Sequence, residues 1–106
     1  MFRNFMFASN LQDMIEISVR ARIQPIFVLE ANSVENINNG LIAKHEAMRR
    51  VGAAHNVPVI DMHAYLRKKY DEGFLWWDSV HLTDFGQELL AEKLYKELVQ
   101  VMKNKL

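Results

Sequence analysis

Two short apolar runs set the terms on which this chain can fold. Ile26-Phe27-Val28-Leu29, opened by Pro25, and Val57-Pro58-Val59-Ile60-Asp61 are each of strand length, and neither alternates apolar with polar residues. Runs of this kind read as parallel strands with both faces covered, at about 25–30 and 57–61. Between them, Leu41 to His55 carries Leu41, Ile42, Ala43, His45, Ala47, Met48 and Val51 among Lys44, Glu46, Arg49 and Arg50, the pattern of an amphipathic helix. Asn56 ends it, and it begins at Leu41 or as early as Val34. Strand, helix, strand at this spacing implies a right-handed crossover, which makes the two strands neighbours in one sheet.

The remaining segments fall around that unit. The stretch from Met1 to Phe7 is aromatic-rich without a clear period and suits a segment packed against something. From Ser9 to Arg22, Leu11, Met14, Ile15, Ile17 and Val19 fall mostly on one side of a predicted helix, with Ser9 or Asn10 as its cap. Met62 to Glu72 reads as a short helix with a basic face, Arg67-Lys68-Lys69, that is solvated rather than an anion site, ended near Gly73 by a left-handed glycine. A last helix starts at Thr83 or Asp84, with Asp84 and Gln87 spaced as a capping box and Leu90, Leu94, Leu98 and Val101 as its apolar stripe. The expected order is helix, strand, helix, strand, helix, helix, in one partial α/β domain spanning residues 1–106.

Two strands make a poor sheet, because a three-layer α/β/α arrangement needs more of them to cover its helices. An unpaired strand edge and exposed apolar helix surface are therefore expected, with self-association or a separately supplied half as the partner. Thirteen basic and thirteen acidic residues leave no net field to gather nucleic acid or an anionic membrane, so neither is expected as a partner. There is no cysteine, which excludes disulfides and cysteine zinc sites. His45, His55 and His63 show no His-x-x-x-His spacing, and Asp61 with His63 makes two candidate ligands only, so no metal is expected. No apolar run reaches the ~18 residues of a membrane span. The first seven residues are too short and interrupted for a signal peptide, which makes the cytoplasm the default location. An export signal on a longer parent would lie outside that test.

Chemistry concentrates in Trp76-Trp77-Asp78-Ser79-Val80-His81-Leu82-Thr83-Asp84-Phe85-Gly86. Here a carboxylate stands three residues before an imidazole, just ahead of a helix start. An imidazole acts as a general base only when one ring nitrogen faces the substrate and the other is held by a partner that fixes tautomer and orientation. Asp78 can hold His81 in this way across a short turn. A bare Asp-x-x-His also describes a capped turn before a helix, with no catalytic role. Ser79 reads as a turn residue. Trp76 and Trp77 either wall a substrate pocket or cover the open end of the core, while Asn32 and Ser33, just after the first strand, are candidate substrate contacts.

The run Asp78-Ser79-Val80-His81-Leu82-Thr83-Asp84-Phe85-Gly86 resembles the last block of the SGNH (GDSL-type) serine esterases and acylhydrolases, which supplies the acid and base of a Ser-His-Asp triad. The resemblance implies ester or acyl hydrolysis without a cofactor, His81 as base, Asp78 as its partner and a small ester as substrate. It also implies a flavodoxin-like sandwich of about five parallel strands. The same family carries its nucleophile in a Gly-Asp-Ser block and oxyanion donors in a glycine and a Gly-x-Asn-Asp block. None of those blocks occurs here, and none of Ser9, Ser18, Ser33 and Ser79 follows Gly-Asp, so no nucleophile is expected in this chain. By this reading the chain is the second half of the fold, with Phe2-Arg3-Asn4-Phe5 just after the Gly-x-Asn-Asp position and Met1 at a truncation point or internal start. Such a half is expected to be inactive alone. The alternatives are a non-catalytic module that associates with itself or another chain, and a fragment with no role of its own.

Overall fold

A computed structural model describes residues 2–34 and 38–105. The order is α1 (Phe2–Arg20), β1 (Phe27–Val28), α2 (Asn39–Ala54), β2 (Val59–Ile60), α3 (Met62–Lys68), a 3-10 turn (Tyr70–Glu72) and α4 (Asp84–Lys105). Among the described residues the fold is mixed α/β, with four helices and two parallel strands, as the apolar runs require. The described residues form two compact units, one from 2–29 and 38–59, the other from 30–34 and 60–105.

In the first unit, α1 packs on α2. Leu11 and Ile15, one helical turn apart, bury against Phe27, Val51 and Val57, with Phe7, Ala8, Met48 and Val59 filling in around them. Phe7 and Ala8 continue that stripe toward the N-terminus, and this is why α1 begins well before Ser9. Ser9 and Asn10 are interior helix residues, not caps. Helix α2 is capped by Asn38, whose Oδ1 accepts the Leu41 N–H at 2.8 Å, and it stops where Asn56 takes a left-handed φ of 56°. An earlier start from Val34 falls on residues 35–37, outside the described residues.

The strands are shorter than their apolar runs. Pro58 has no N–H to give a ladder, although its carbonyl accepts from Phe27 N–H at 2.9 Å. Burial alternates from β1 into the residue after it: Phe27 and Leu29 are buried, but Val28 is 39% exposed, so one face is open where both were expected to be covered.

In the second unit, α3 packs on α4 and buries Met62 and Leu66, one turn apart. Asp61 caps α3 by accepting the Ala64 N–H at 2.9 Å. Gly73 is extended rather than left-handed, with φ 166°. Its role is steric, since a Cβ there would lie 2.6 Å from the Phe85 ring. The cap of α4 is Thr83, not Asp84. Its Oγ1 accepts the Gly86 N–H at 3.1 Å and its carbonyl accepts from Gln87. The expected stripe on α4 is only partly used, for Leu89 is buried, Leu90, Leu94 and Val101 are half-buried and Leu98 is exposed.

Candidate active site

The segment from Leu75 to Thr83 folds back on itself as a tight antiparallel arch. Trp76 bridges Leu82, Trp77 N–H donates to the His81 carbonyl at 2.8 Å, and Thr83 N–H donates to the Leu75 carbonyl at 2.8 Å. The buried Thr83 hydroxyl also donates to the Phe74 carbonyl at 2.5 Å, pinning the base of the arch to the start of α4. A methyl group at Gly86 would meet the Leu75 carbonyl and lie 2.8 Å from Leu82, so glycine is needed for the helix to approach so closely.

The tip of the arch is organised by one carboxylate. Asp78 Oδ1 accepts the N–H of Val80 at 2.8 Å and of His81 at 2.7 Å, an Asx turn that reverses the chain in four residues. The same turn brings the His81 ring back, with Nδ1 at 2.8 Å from Oδ2 and 3.0 Å from Oδ1. The Val80 N–H first, then the His81 ring and the His81 N–H, hold the Asp78 carboxyl down at about 2. At neutral pH Asp78 is therefore an anion that can only accept. Neutral His81 must then carry its proton on Nδ1, leaving the Nε2 lone pair available as a base. Both side chains reach solvent, His81 at 73% and Asp78 at 56% exposure.

The loop after β1 lies beside this arch. Asn32 Oδ1 accepts the Val34 N–H at 3.0 Å, and the Asn32 N–H donates to His63 Nδ1 of α3 at 3.1 Å. Ser33 donates its N–H to the Ser79 carbonyl at 2.9 Å, which joins the loop to the tip of the arch. A cleft of about 450 Å³ opens there, lined by Ser33, Tyr70, Gly73, Phe74, Leu75, Trp76 and Asp78. The two tryptophans separate. Trp76 faces this cleft, while Trp77 is 69% exposed and stands edge-to-face against Phe74, with ring centres 5.2 Å apart. Asn32 is absent from the cleft wall: its side chain turns its own loop and its N–H ties that loop to α3. Sequence reasoning missed Tyr70 and Phe74, which line the cleft, and Arg67, which supports it. The available signal was the i,i+4 spacing of His63 and Arg67, which puts both on the α3 face that meets the loop.

The chain is similar in fold to an acetyl xylan esterase, AlAXEase. The likeness has a TM-score of 0.71 at 22% identity and covers 89% of this chain. This chain spans 55% of the length of that esterase chain. No protein-family model and no curated protein sequence matches. An identity this low establishes a shared α/β fold and nothing finer. Among the described residues, no helix is long and apolar enough to cross a membrane, and no three His, Cys, Asp or Glu side chains come together as a metal site.

Proposed function

We propose that this chain supplies the acid and base of an SGNH (GDSL-type) serine ester hydrolase. The observation that carries the reading is the Asp78–His81 couple, with Nδ1 held at 2.8 Å by a carboxylate that two backbone N–H groups keep ionised. In the reaction, His81 Nε2 takes the proton of a serine hydroxyl as its oxygen attacks an ester carbonyl, and Asp78 stabilises the imidazolium. His81 then gives that proton to the departing alcohol. Water repeats the cycle on the acyl-enzyme and releases a carboxylic acid.

The serine and the oxyanion donors come from outside these residues. Ser9 and Ser18 lie within α1, Ser79 turns the arch, and Ser33 is tied into the loop by its backbone. The substrate is a small ester, and the cleft bearing Ser33 and Trp76 beside Asp78 is where part of it binds. The fold likeness to an acetyl xylan esterase supports the ester class.

The test is hydrolysis of a chromogenic acetyl ester by the polypeptide encoded by the whole reading frame around this sequence. His81→Ala should lower kcat by about 10³-fold or more, and Asp78→Asn by a comparable factor, because both act on one proton transfer. Undiminished turnover in His81→Ala refutes the assignment. The isolated chain should take no covalent label from a fluorophosphonate, and an adduct on Ser33 would move the nucleophile into this chain.

A second reading, a non-catalytic module that associates with its own kind, draws on the open face at Val28 and on the exposed Met14 and Ile17 of α1. Sedimentation of the purified chain separates the two, since this module requires a concentration-dependent dimer.

A further inference from the structure

The candidate base sits on an exposed four-residue tip, and exposed turns do not hold an imidazole to a fixed direction unaided. One contact from outside the arch restrains it further. The Ser79 carbonyl, midway between Asp78 and His81, accepts the Ser33 N–H at 2.9 Å. Ser33 is held in turn from its other side, because its carbonyl accepts from Arg67 Nη1 at 2.8 Å in a half-buried setting. Arg67 is itself fixed. Its guanidinium lies over the Tyr70 ring, 5.0 Å from the ring centre. A hydrogen bond from a charged donor is about twice as strong as a neutral one, and a stacked guanidinium loses less freedom in making it.

From this continuous set of contacts we infer that Arg67 is a positioning residue for the Asp78–His81 couple, acting through Ser33 and Ser79. Its cation anchors the loop after β1, the loop anchors the tip, and the tip presents Asp78 to the ring. The helix face read from sequence as solvated thus has one member turned inward. Tyr70, Ser33 and Asp78 also line the cleft, so the brace forms part of its wall. This role rests on the proposed function only for its catalytic meaning, because the brace itself is measurable without turnover.

The experiment compares Arg67→Met, which keeps the aliphatic stem and helix propensity, with Arg67→Lys and the unaltered chain. The readouts are amide hydrogen exchange and the NMR titration of the Asp78 carboxyl. In Arg67→Met the amides of Ser33, Val80 and His81 should exchange about tenfold faster, as loss of one charge-assisted bond predicts. The Asp78 midpoint should rise by about half a pH unit or more as its N–H donors loosen. Arg67→Lys, which keeps a charged donor but not the planar stack, should restore part of both effects. Amides of α4 should stay within about twofold throughout.

Two results overturn the inference: unchanged Ser33 exchange and Asp78 midpoint in Arg67→Met, or acceleration of the α4 amides by the same factor, which would be general loosening. If these readouts respond as expected while His81→Ala leaves hydrolysis intact, the brace stands and the proposed function falls.

Discussion

Replacing Thr83 by valine tests whether one buried hydroxyl holds the arch to its helix. Thr83 is 5% exposed, and its Oγ1 makes two bonds, donating to the Phe74 carbonyl and accepting the Gly86 N–H. Valine keeps the shape and removes both. Loss of the cap costs about 1 kcal/mol. Leaving the Phe74 carbonyl without its donor adds about 1–3 kcal/mol. Burying a methyl in place of the hydroxyl returns less than about 1 kcal/mol. The net expectation is destabilisation by about 1–4 kcal/mol, or a fall in urea midpoint of roughly 1–3 M for a chain of this size. Thr83→Ser keeps both bonds and should lose less than about 1 kcal/mol. Urea unfolding followed by tryptophan fluorescence reports directly, since Trp76 and Trp77 lie in the arch. Valine within about 0.5 kcal/mol of the unaltered chain, or serine and valine equally damaging, would rule out this role for the hydroxyl.

Other expectations follow from the same geometry. The Asp78 carboxyl is lowered from 3.8 to about 2 on folding, so its contribution is complete above pH 3.8 and disappears as pH falls through 2. Stability measured from pH 5 down to pH 2 should therefore drop more steeply in the unaltered chain than in Asp78→Asn, and parallel curves would contradict this. A Cβ at Gly52 would lie 2.8 Å from Val59 Cγ2 and 3.1 Å from the Val57 carbonyl. Gly52→Ala should cost about 1–3 kcal/mol in overpacking, against about 1 kcal/mol of helix propensity gained, so a raised melting temperature would contradict the close approach. His81 is 73% exposed, so His81→Ala should change stability by less than about 1 kcal/mol. A larger loss would mark His81 as structural.

The sequence carried the strand–helix–strand order because continuous apolar runs and a helical period are local signals. It also carried the Asp78–His81 proximity, which a three-residue spacing ahead of a helix nearly forces. Its errors came where a neighbour decides. Asn10 resembles a cap but sits mid-helix because Phe7 and Ala8 extend the buried stripe of α1. Asp84 and Gln87 have capping-box spacing, yet Thr83 caps α4 because its hydroxyl is already fixed by Phe74. Gly73 is glycine because Phe85 occupies the space of a side chain, a contact across twelve residues that no local pattern encodes. Arg67 looked like one of three solvated cations, and its partner, the Ser33 carbonyl, is thirty-four residues away.

In the proposed site, Asp78 holds neutral His81 with Nδ1 protonated and Nε2 able to accept a proton. Nitrogen-15 NMR of the His81 ring in its neutral form reads this directly. The spectrum should show an N–H at Nδ1 and a bare Nε2, reverting in Asp78→Ala to the Nε2–H form that unconstrained imidazole favours. A neutral ring protonated at Nε2 in the unaltered chain would contradict it, because that nitrogen would have no lone pair with which to act as base.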